Sequence, residues 1–433
     1  MISADAADTS GVKQVEFFLD GTLLGTDVSA PYGFYWNTQT AASGSHTLSA
    51  RATDTYGNAA TSTVGVTVDN VGPAVALNSP ASGATVSGAF SLQADATDEA
   101  GVTRVDFFVD GALLGSDTTA PFGMDWDSSG VADGAHALTA KAYDDTGNVA
   151  TSPAVWVNTD NTLPDAALTS PTQGVFLRGT AVLEATASDT VGVAKVEFYD
   201  DATLLGTDTS APYALSWSTV GVEEGTHALT VKAYDSVGNV RTSAGVEVTV
   251  DNTAPATALG TPAQNAHVRG TVQVSATASD NQAVSKVEFY AGETLLGTAT
   301  TAPYSVSWDT TSGANGVVTL TTRAYDLAGN VTMSASRAVS VDNVGPTVAI
   351  TSPANGASLF LSATLQASAS DNMGVTQVVF YDGGTVIGTD TTAPYSVSWN
   401  LLSVPKGTHT LTARAHDAAG NVTTSTPIFV KVN

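Results

Sequence analysis

The sequence predicts an all-β chain, a tandem array of seven-stranded β-sandwiches, and three observations carry that expectation. The first is a fixed period. Trp36, Trp126, Trp217, Trp308 and Trp399 stand 90, 91, 91 and 91 residues apart, each closing the phrase Ala-Pro-Tyr or Ala-Pro-Phe, three residues, then Trp. A period of this length means one structural unit copied along the chain. The second is composition: 42% hydrophobic residues and 40 glycines against only 13% charged residues leave a surface made largely of Thr, Ser, Asn and Gly. That profile belongs to turn-rich β-proteins. The third is period-2 alternation in every copy, with no apolar stripe at helical spacing.

The elements follow in order within residues 71–161. Val75 to Leu77 opens a strand that ends at Pro80, and Phe90 to Ala96 reads as the second. Val102 to Asp110 is the third, with Val105, Phe107 and Val109 on one face. Asp110-Gly111 is a hairpin turn leading into Leu113-Leu114-Gly115, the fourth. Pro121 breaks the chain, Phe122 to Trp126 makes the fifth, and His136 to Tyr143 the sixth, with Leu138, Ala140 and Ala142 facing in. Val155 and Val157 carry the seventh. Seven short antiparallel strands of this kind make a two-sheet sandwich, and the repeated Trp is a core anchor between its sheets.

The units are therefore 71–161, 162–252, 253–343 and 344–433, preceded by a partial copy, 1–70. Ile2 to Asp8 aligns with Leu92 to Asp98, so the first copy lacks the counterpart of residues 71–90, its first strand and part of its second. The sequence reads as a segment of a longer chain. If Met1 is the natural start, the open sheet edge would accept a strand from another chain and build a filament. Junctions are short and contain Pro, as in Val68-Asp69-Asn70-Val71-Gly72-Pro73, with no Gly/Ser tract. Such joints predict a stiff rod, roughly 35–40 Å per unit and on the order of 150–200 Å for the array.

Charge and motif content exclude several functions. Fifteen basic against 41 acidic residues leave a net charge of −26, which is wrong for nucleic acid or an anionic membrane surface. No apolar run reaches the ~18 residues needed to span a bilayer, and Met1 to Asp8 lacks the regions of a signal peptide. There is no Cys, hence no disulfide or thiolate metal site. No phosphate loop, Ser/His/Asp set or His-rich ligand spacing is present, and near-identical copies supply no single catalytic constellation. The chain is not expected to be an enzyme, and it requires no cofactor.

Gly-Val-x-x-Val-x-Phe-Tyr/Phe, Leu-Leu-Gly-Thr-Asp, Ala-Pro-Tyr, Trp, Ala-Tyr-Asp-x-x-Gly-Asn and Val-Asp-Asn together resemble the bacterial immunoglobulin-like repeat family. The resemblance covers the whole chain. It implies immunoglobulin-like or fibronectin III-like sandwiches in bacterial proteins outside the cell: adhesin stalks, surface fibres, or spacers and carbohydrate-binding segments beside secreted polysaccharide-degrading enzymes. It implies no activity, because function lives in sites rather than folds. A surface stalk is the first expectation, with neighbouring repeats, other chains or glycan as partners.

Of the 41 acids only nine are Glu and 32 are Asp, a residue of turns and of hard-cation shells. Counting strands places the loops after strands two, four and six at the pole where the preceding linker enters. Asp69 and Asn70 of the linker are thus expected beside Asp98, Glu99, Asp117, Asp144, Asp145 and Asn148. The set returns as Asp160, Asn161, Asp189, Asp208, Asp235 and Asn239, and as Asp251, Asn252, Asp280, Asn281, Asp326 and Asn330, with Ala299 at the Asp117 position. It returns again as Asp342, Asn343, Asp371, Asn372, Asp390 and Asp417. Calcium at each junction is one reading. The other is that Asp-x-x-Gly-Asn is a tight hairpin turn needing no metal.

A candidate contact face lies on the outer side of the third and sixth strands: Phe108, Tyr199, Tyr290 and Tyr381, after Phe18, with Tyr143, Tyr234 and Tyr325. Each has a cation nearby, and Trp156 and Phe429 add aromatics that do not repeat. Glycan or a neighbouring chain would meet such a face, although cross-strand pairing within the sheet is the commoner explanation. His46, His136, His227 and His409 recur, but Val318 in the fourth copy removes a catalytic role.

Overall fold

Alternation in sequence becomes two facing sheets in the computed structural model, which describes residues 1–433. In the second unit one sheet has three strands, ordered Phe122–Asp127, Ala89–Thr97, Ala74–Ser79. The other runs Ala112–Asp117, Val102–Val109, Gly134–Asp144, Val155–Thr159, Thr85–Val86, and Val149–Thr151 also pairs with Gly134–Asp144. This order recurs in the next three units.

The inward residues read from the sequence form the core. Val105, Phe107, Leu138, Ala140 and Ala142 are all 0% exposed and pack against Leu92, Phe122 and Trp126. Each complete unit closes a cluster of its own, of 12, 12, 11 and 12 buried residues, and none shares a member with its neighbour. Trp126, Trp217, Trp308 and Trp399 lie inside these cores.

Two short strands escaped the sequence reading. After Pro80 the chain crosses to the other sheet, where Thr85–Val86 pairs with Asn158 and Thr159 in parallel, an added strand beside seven that pair antiparallel among themselves. The last strand is also interrupted. Ser152 is buried, and its Oγ accepts from the Ala140 amide at 3.0 Å, standing in for a backbone carbonyl while the chain bulges. Ser243, Ser334 and Ser425 repeat that bond.

The first unit holds Ile2–Ala4 against Tyr32–Phe34 in a two-stranded sheet, facing a four-stranded one that ends in an unbroken Ala59–Val68. Its core is correspondingly small: Val15, Phe17 and Tyr32. Between units, only residues 69–73, 160–164, 251–255 and 342–346 separate the last strand of one from the first of the next.

Candidate functional site

Every linker begins Asp-Asn, and the two side chains part company. Asn161 turns back: its Oδ1 accepts from the Gly88 amide at 3.0 Å and Ser128 Oγ at 3.1 Å, while Nδ2 donates to Ser128 O. Asn252 and Asn343 make the same bonds to Gly179 and Thr219, and to Gly270 and Thr310. Asn70 donates to Thr38 O and Ala41 O. These four asparagines, expected in an oxygen shell with the acids, instead tie the linker to the unit it leaves.

The linker aspartate points forward. Carboxylate oxygens of Asp160, Asp189 and Asp235 lie within 4.8 Å of one another, as do those of Asp251, Asp280 and Asp326, of Asp342, Asp371 and Asp417, and of Asp69, Asp98 and Asp144. The linker thus meets the loop after the second strand and the Asp-x-x-Gly-Asn turn. In that turn Asp235 Oδ1 accepts from the amides of Val237, Gly238 and Asn239, and Gly238 sits at φ 104, a conformation glycine supplies without a Cβ clash. Asp160, Asp251 and Asp342 are 2%, 0% and 1% exposed. Burial, and then the charges of Asp189 and Asp235, hold the Asp160 carboxyl above its ordinary range; burial, Asp280 and Asp326 do the same to Asp251. The first junction is looser, with half-buried Asp69 beside a cleft of about 540 Å³ that Asp98 and Glu99 also line.

Other expected members are elsewhere. Asp117 is occupied by its own turn, accepting from the Gly123 amide at 2.9 Å and Thr119 at 3.0 Å, and Asp208 and Asp390 repeat this. That is why Ala299 can replace it. The turn asparagines are donors rather than ligands: Asn239 Nδ2 binds Asp235 Oδ2 at 2.6 Å and Asp160 O at 2.8 Å. Asn148 and Asn330 do likewise. Asn281 is drawn to Glu224, and Asn372 to Asp342 Oδ1.

The sequence reading missed the clasp on the other side of this asparagine. Ser87 Oγ of the second unit donates to Asn239 Oδ1 of the third at 2.6 Å, and Arg269 of the fourth reaches Asn421 of the fifth at 3.4 Å. Ser87, Arg178 and Arg269 occupy one repeat position of changing identity. Only the two-residue strand before it marks the place.

On the outer face, the aromatics are tied to one another. Tyr199 and Tyr234 both donate to Glu197, at 2.7 and 2.9 Å, Lys195 pairs with the same carboxylate, and Lys195 and Lys232 lie over the two rings. Bonding to Glu197, with burial, pushes the Tyr199 hydroxyl up to about 12. Tyr290 and Tyr325 surround Glu288 in the same way. Arg104 stacks on Tyr143 and pairs with Asp106, and Arg414 covers Tyr381. Phe108 is half-buried beside this cluster, whereas Trp156 and Phe429 are 55% and 50% exposed. The central acid was the missed element; its signal is the acidic residue of Val-Glu-Phe at 15–17, 196–198 and 287–289.

The histidines are also structural. His136 Nδ1 meets Asp110 at 2.6 Å and Nε2 meets Ala132 O at 2.8 Å. Both ring nitrogens face acceptors, which only the imidazolium satisfies. In the fourth unit Val318 replaces the histidine; Gly292 stands at the Asp110 position, and Ala291 at that of Asp200 and Asp382, which pair with His227 and His409.

The profile of the bacterial Ig domain matches residues 1–50, 73–140, 164–231, 255–322 and 346–413. The chain belongs to the bacterial Ig domain family. Such Ig units are generally non-catalytic. Exoglucanase B of Cellulomonas fimi is 32% identical over 345 residues, which is 74% of this chain and 29% of that protein. Chitinase A1 of Niallia circulans is 31% identical over 196 residues, 43% of this chain and 27% of that one. This Ig array spans less than a third of either relative. Among solved structures, fibronectin(III)-like modules of CbhA from Clostridium thermocellum are 28% identical, covering 42% of this chain and 94% of that one at a TM-score of 0.30. A tetra-tandem repeat from the extending region of a large adhesion protein is 22% identical, covering 84% and 99% at 0.31. No helix here is long and apolar enough to cross a membrane.

Proposed function

We propose that this Ig array is a non-catalytic, semi-rigid spacer outside the bacterial cell, holding other domains of a glycan-degrading protein apart. The observation that carries the reading is the junction. Each linker is bonded backward by its Asn and forward through the main-chain oxygen of its Asp, with no slack residues between. A joint tied on both sides transmits orientation, which is what a spacer needs and a flexible tether lacks. The two relatives named for glycan hydrolysis support this setting over the adhesin stalk that sequence alone put first. In their company, polysaccharide is the natural neighbour rather than nucleic acid or lipid.

On the candidate contact face, Trp156 and Phe429 are the exposed aromatics left for glycan, since the repeating ones are engaged by Glu197, Glu288 and the cations. Two measurements on the intact chain test the spacer. Small-angle scattering should give a maximum dimension on the order of 150–200 Å, and migration through gels containing cellulose or chitin should be unretarded. A much shorter particle, or independently moving units, overturns the rigid spacer. Retardation that Trp156→Ala abolishes replaces it with a carbohydrate-binding module.

A further inference from the structure

At the third junction the structure holds an electrostatic arrangement that the protein alone leaves unbalanced. Asp251, Asp280 and Asp326 bring carboxylate oxygens within 4.8 Å of one another. No Lys or Arg forms an ion pair with any of the three. Like charges this close repel strongly where water is scarce. Two of the three use one oxygen for a local turn and leave the other without a partner. Asp251 Oδ1 accepts from the Thr253 amide and Asp280 Oδ2 from the Gln282 amide, while Asp251 Oδ2 and Asp280 Oδ1 are buried with no hydrogen bond. Asp251 is 0% exposed. An unsatisfied, buried, ionised oxygen is costly and normally finds a donor or a metal.

The pattern is no accident of one joint. Asp160 Oδ2 and Asp342 Oδ2, at the equivalent positions, are likewise buried and unpartnered. Turn capping explains one oxygen of each carboxylate and leaves the other unexplained.

We propose that the second, third and fourth junctions are calcium sites, their ligands the linker carboxylate and two loop carboxylates of the following unit. Three carboxylates contribute up to six oxygens before water or backbone carbonyls complete the shell of about 6–8 that calcium takes. Oxygens opposite one another across calcium stand about 4.6–5.2 Å apart, and across magnesium about 4.0–4.2 Å. Oxygens that all lie within 4.8 Å of one another can share one calcium shell. Because one ligand leaves the preceding unit and two belong to the next, the ion welds the joint. The proposal stands apart from the spacer role, since a metal-bound joint serves any array.

The test is calorimetric titration of calcium into the EDTA-treated, dialysed full chain, read with its melting curve. Three ions should bind, one at each junction with a buried unpartnered carboxylate oxygen, in the ~0.1–1 mM range of extracellular calcium modules or tighter, with a rise in melting temperature. Asp251→Asn and Asp280→Asn should each remove one ion and leave the others; far-UV circular dichroism checks that the variants stay folded. Absence of both heat and melting shift in the parent overturns the proposal without needing a variant. So does unchanged stoichiometry in folded Asp251→Asn, or equal affinity for magnesium. Scattering from the metal-free chain still tests the spacer, so the two ideas fail separately.

Discussion

The side-chain amide of Asn239 donates to the main-chain oxygen of Asp160 at 2.8 Å, so a turn of the third unit grips the peptide leaving the second. Asn330 holds Asp251 and Asn421 holds Asp342 in the same way, at 2.9 and 3.0 Å. The asparagine that closes each Asp-x-x-Gly-Asn turn thus has two tasks, one inside its unit and one across the joint.

Replacing Asn330 with Ala should separate those tasks. Its amide also donates to Asp326 Oδ2 at 2.7 Å, and the residue is buried. Losing both bonds leaves buried acceptors unpaired, a cost of about 1–3 kcal/mol. Chemical denaturation should show that loss in the fourth unit alone. Limited proteolysis should show faster cleavage in residues 251–255, because Asp251 O loses its donor. Unchanged cleavage would mean that the asparagine serves only its own turn.

Separate cores predict separate melting. Phe289 is 0% exposed at the centre of the fourth unit's cluster. Phe289→Ala should destabilise that unit by about 3–5 kcal/mol. In differential scanning calorimetry one transition should move down while those of the second and fifth units stay put. A uniform shift of the whole endotherm would instead mean that the array unfolds as one cooperative body.

The histidine pairs give a pH dependence with a built-in control. Bonding to Asp110, then to Ala132 O, raises the His136 pKa above its ordinary value, and the Ala137 amide and His136 lower that of Asp110. A raised histidine pKa contributes stability that is full below about 6.5 and fades as pH climbs through the folded value. A lowered aspartate pKa contributes above about 3.9 and is lost as pH falls through the folded value. The pair should therefore stabilise most in mildly acidic solution. Asp110→Gly with His136→Val copies the fourth unit, whose Gly292 and Val318 lack the pair, and glycine keeps the positive φ of 47 that Asp110 adopts. Its melting deficit against the parent should be largest near pH 5–6 and shrink by about pH 9. A deficit independent of pH would reduce the pair to packing.

What was legible in the sequence was whatever repeats with period two or with the period of the unit. Val105, Phe107, Leu138 and Trp126 announce their burial by alternation and recurrence. The aspartates of each junction were placed at one pole by counting strands, and their oxygens do meet. The direction in which an amide points is not legible. Asn161 and Asp160 are adjacent and both polar, yet one caps the unit behind and the other faces the unit ahead. Thr85–Val86 is too short for a hydrophobic pattern, and Ser152 became a backbone substitute only because the edge strand bulges over Ala140. Such details are settled by three-dimensional hydrogen-bond competition, which residue types alone do not rank.

The buried carboxylates predict opposite responses to pH with and without metal. Burial first, and then Asp280 and Asp326, raise the Asp251 pKa, so the folded protein favours its neutral form. Such a group supports folding fully below about 3.9 and withdraws that support as pH rises through the folded value. In chelator, Asp251→Asn is neutral at every pH and escapes the penalty. The variant should melt above the parent at about pH 7 and level with it near about pH 3. In calcium the order at neutral pH should invert, because the ion turns the repelling carboxylate into a ligand the variant has lost. The paired scans need no assumption about affinity. If the asparagine variant is less stable than the parent in chelator at neutral pH, the three carboxylates are not in conflict, and a cation has no charge to relieve.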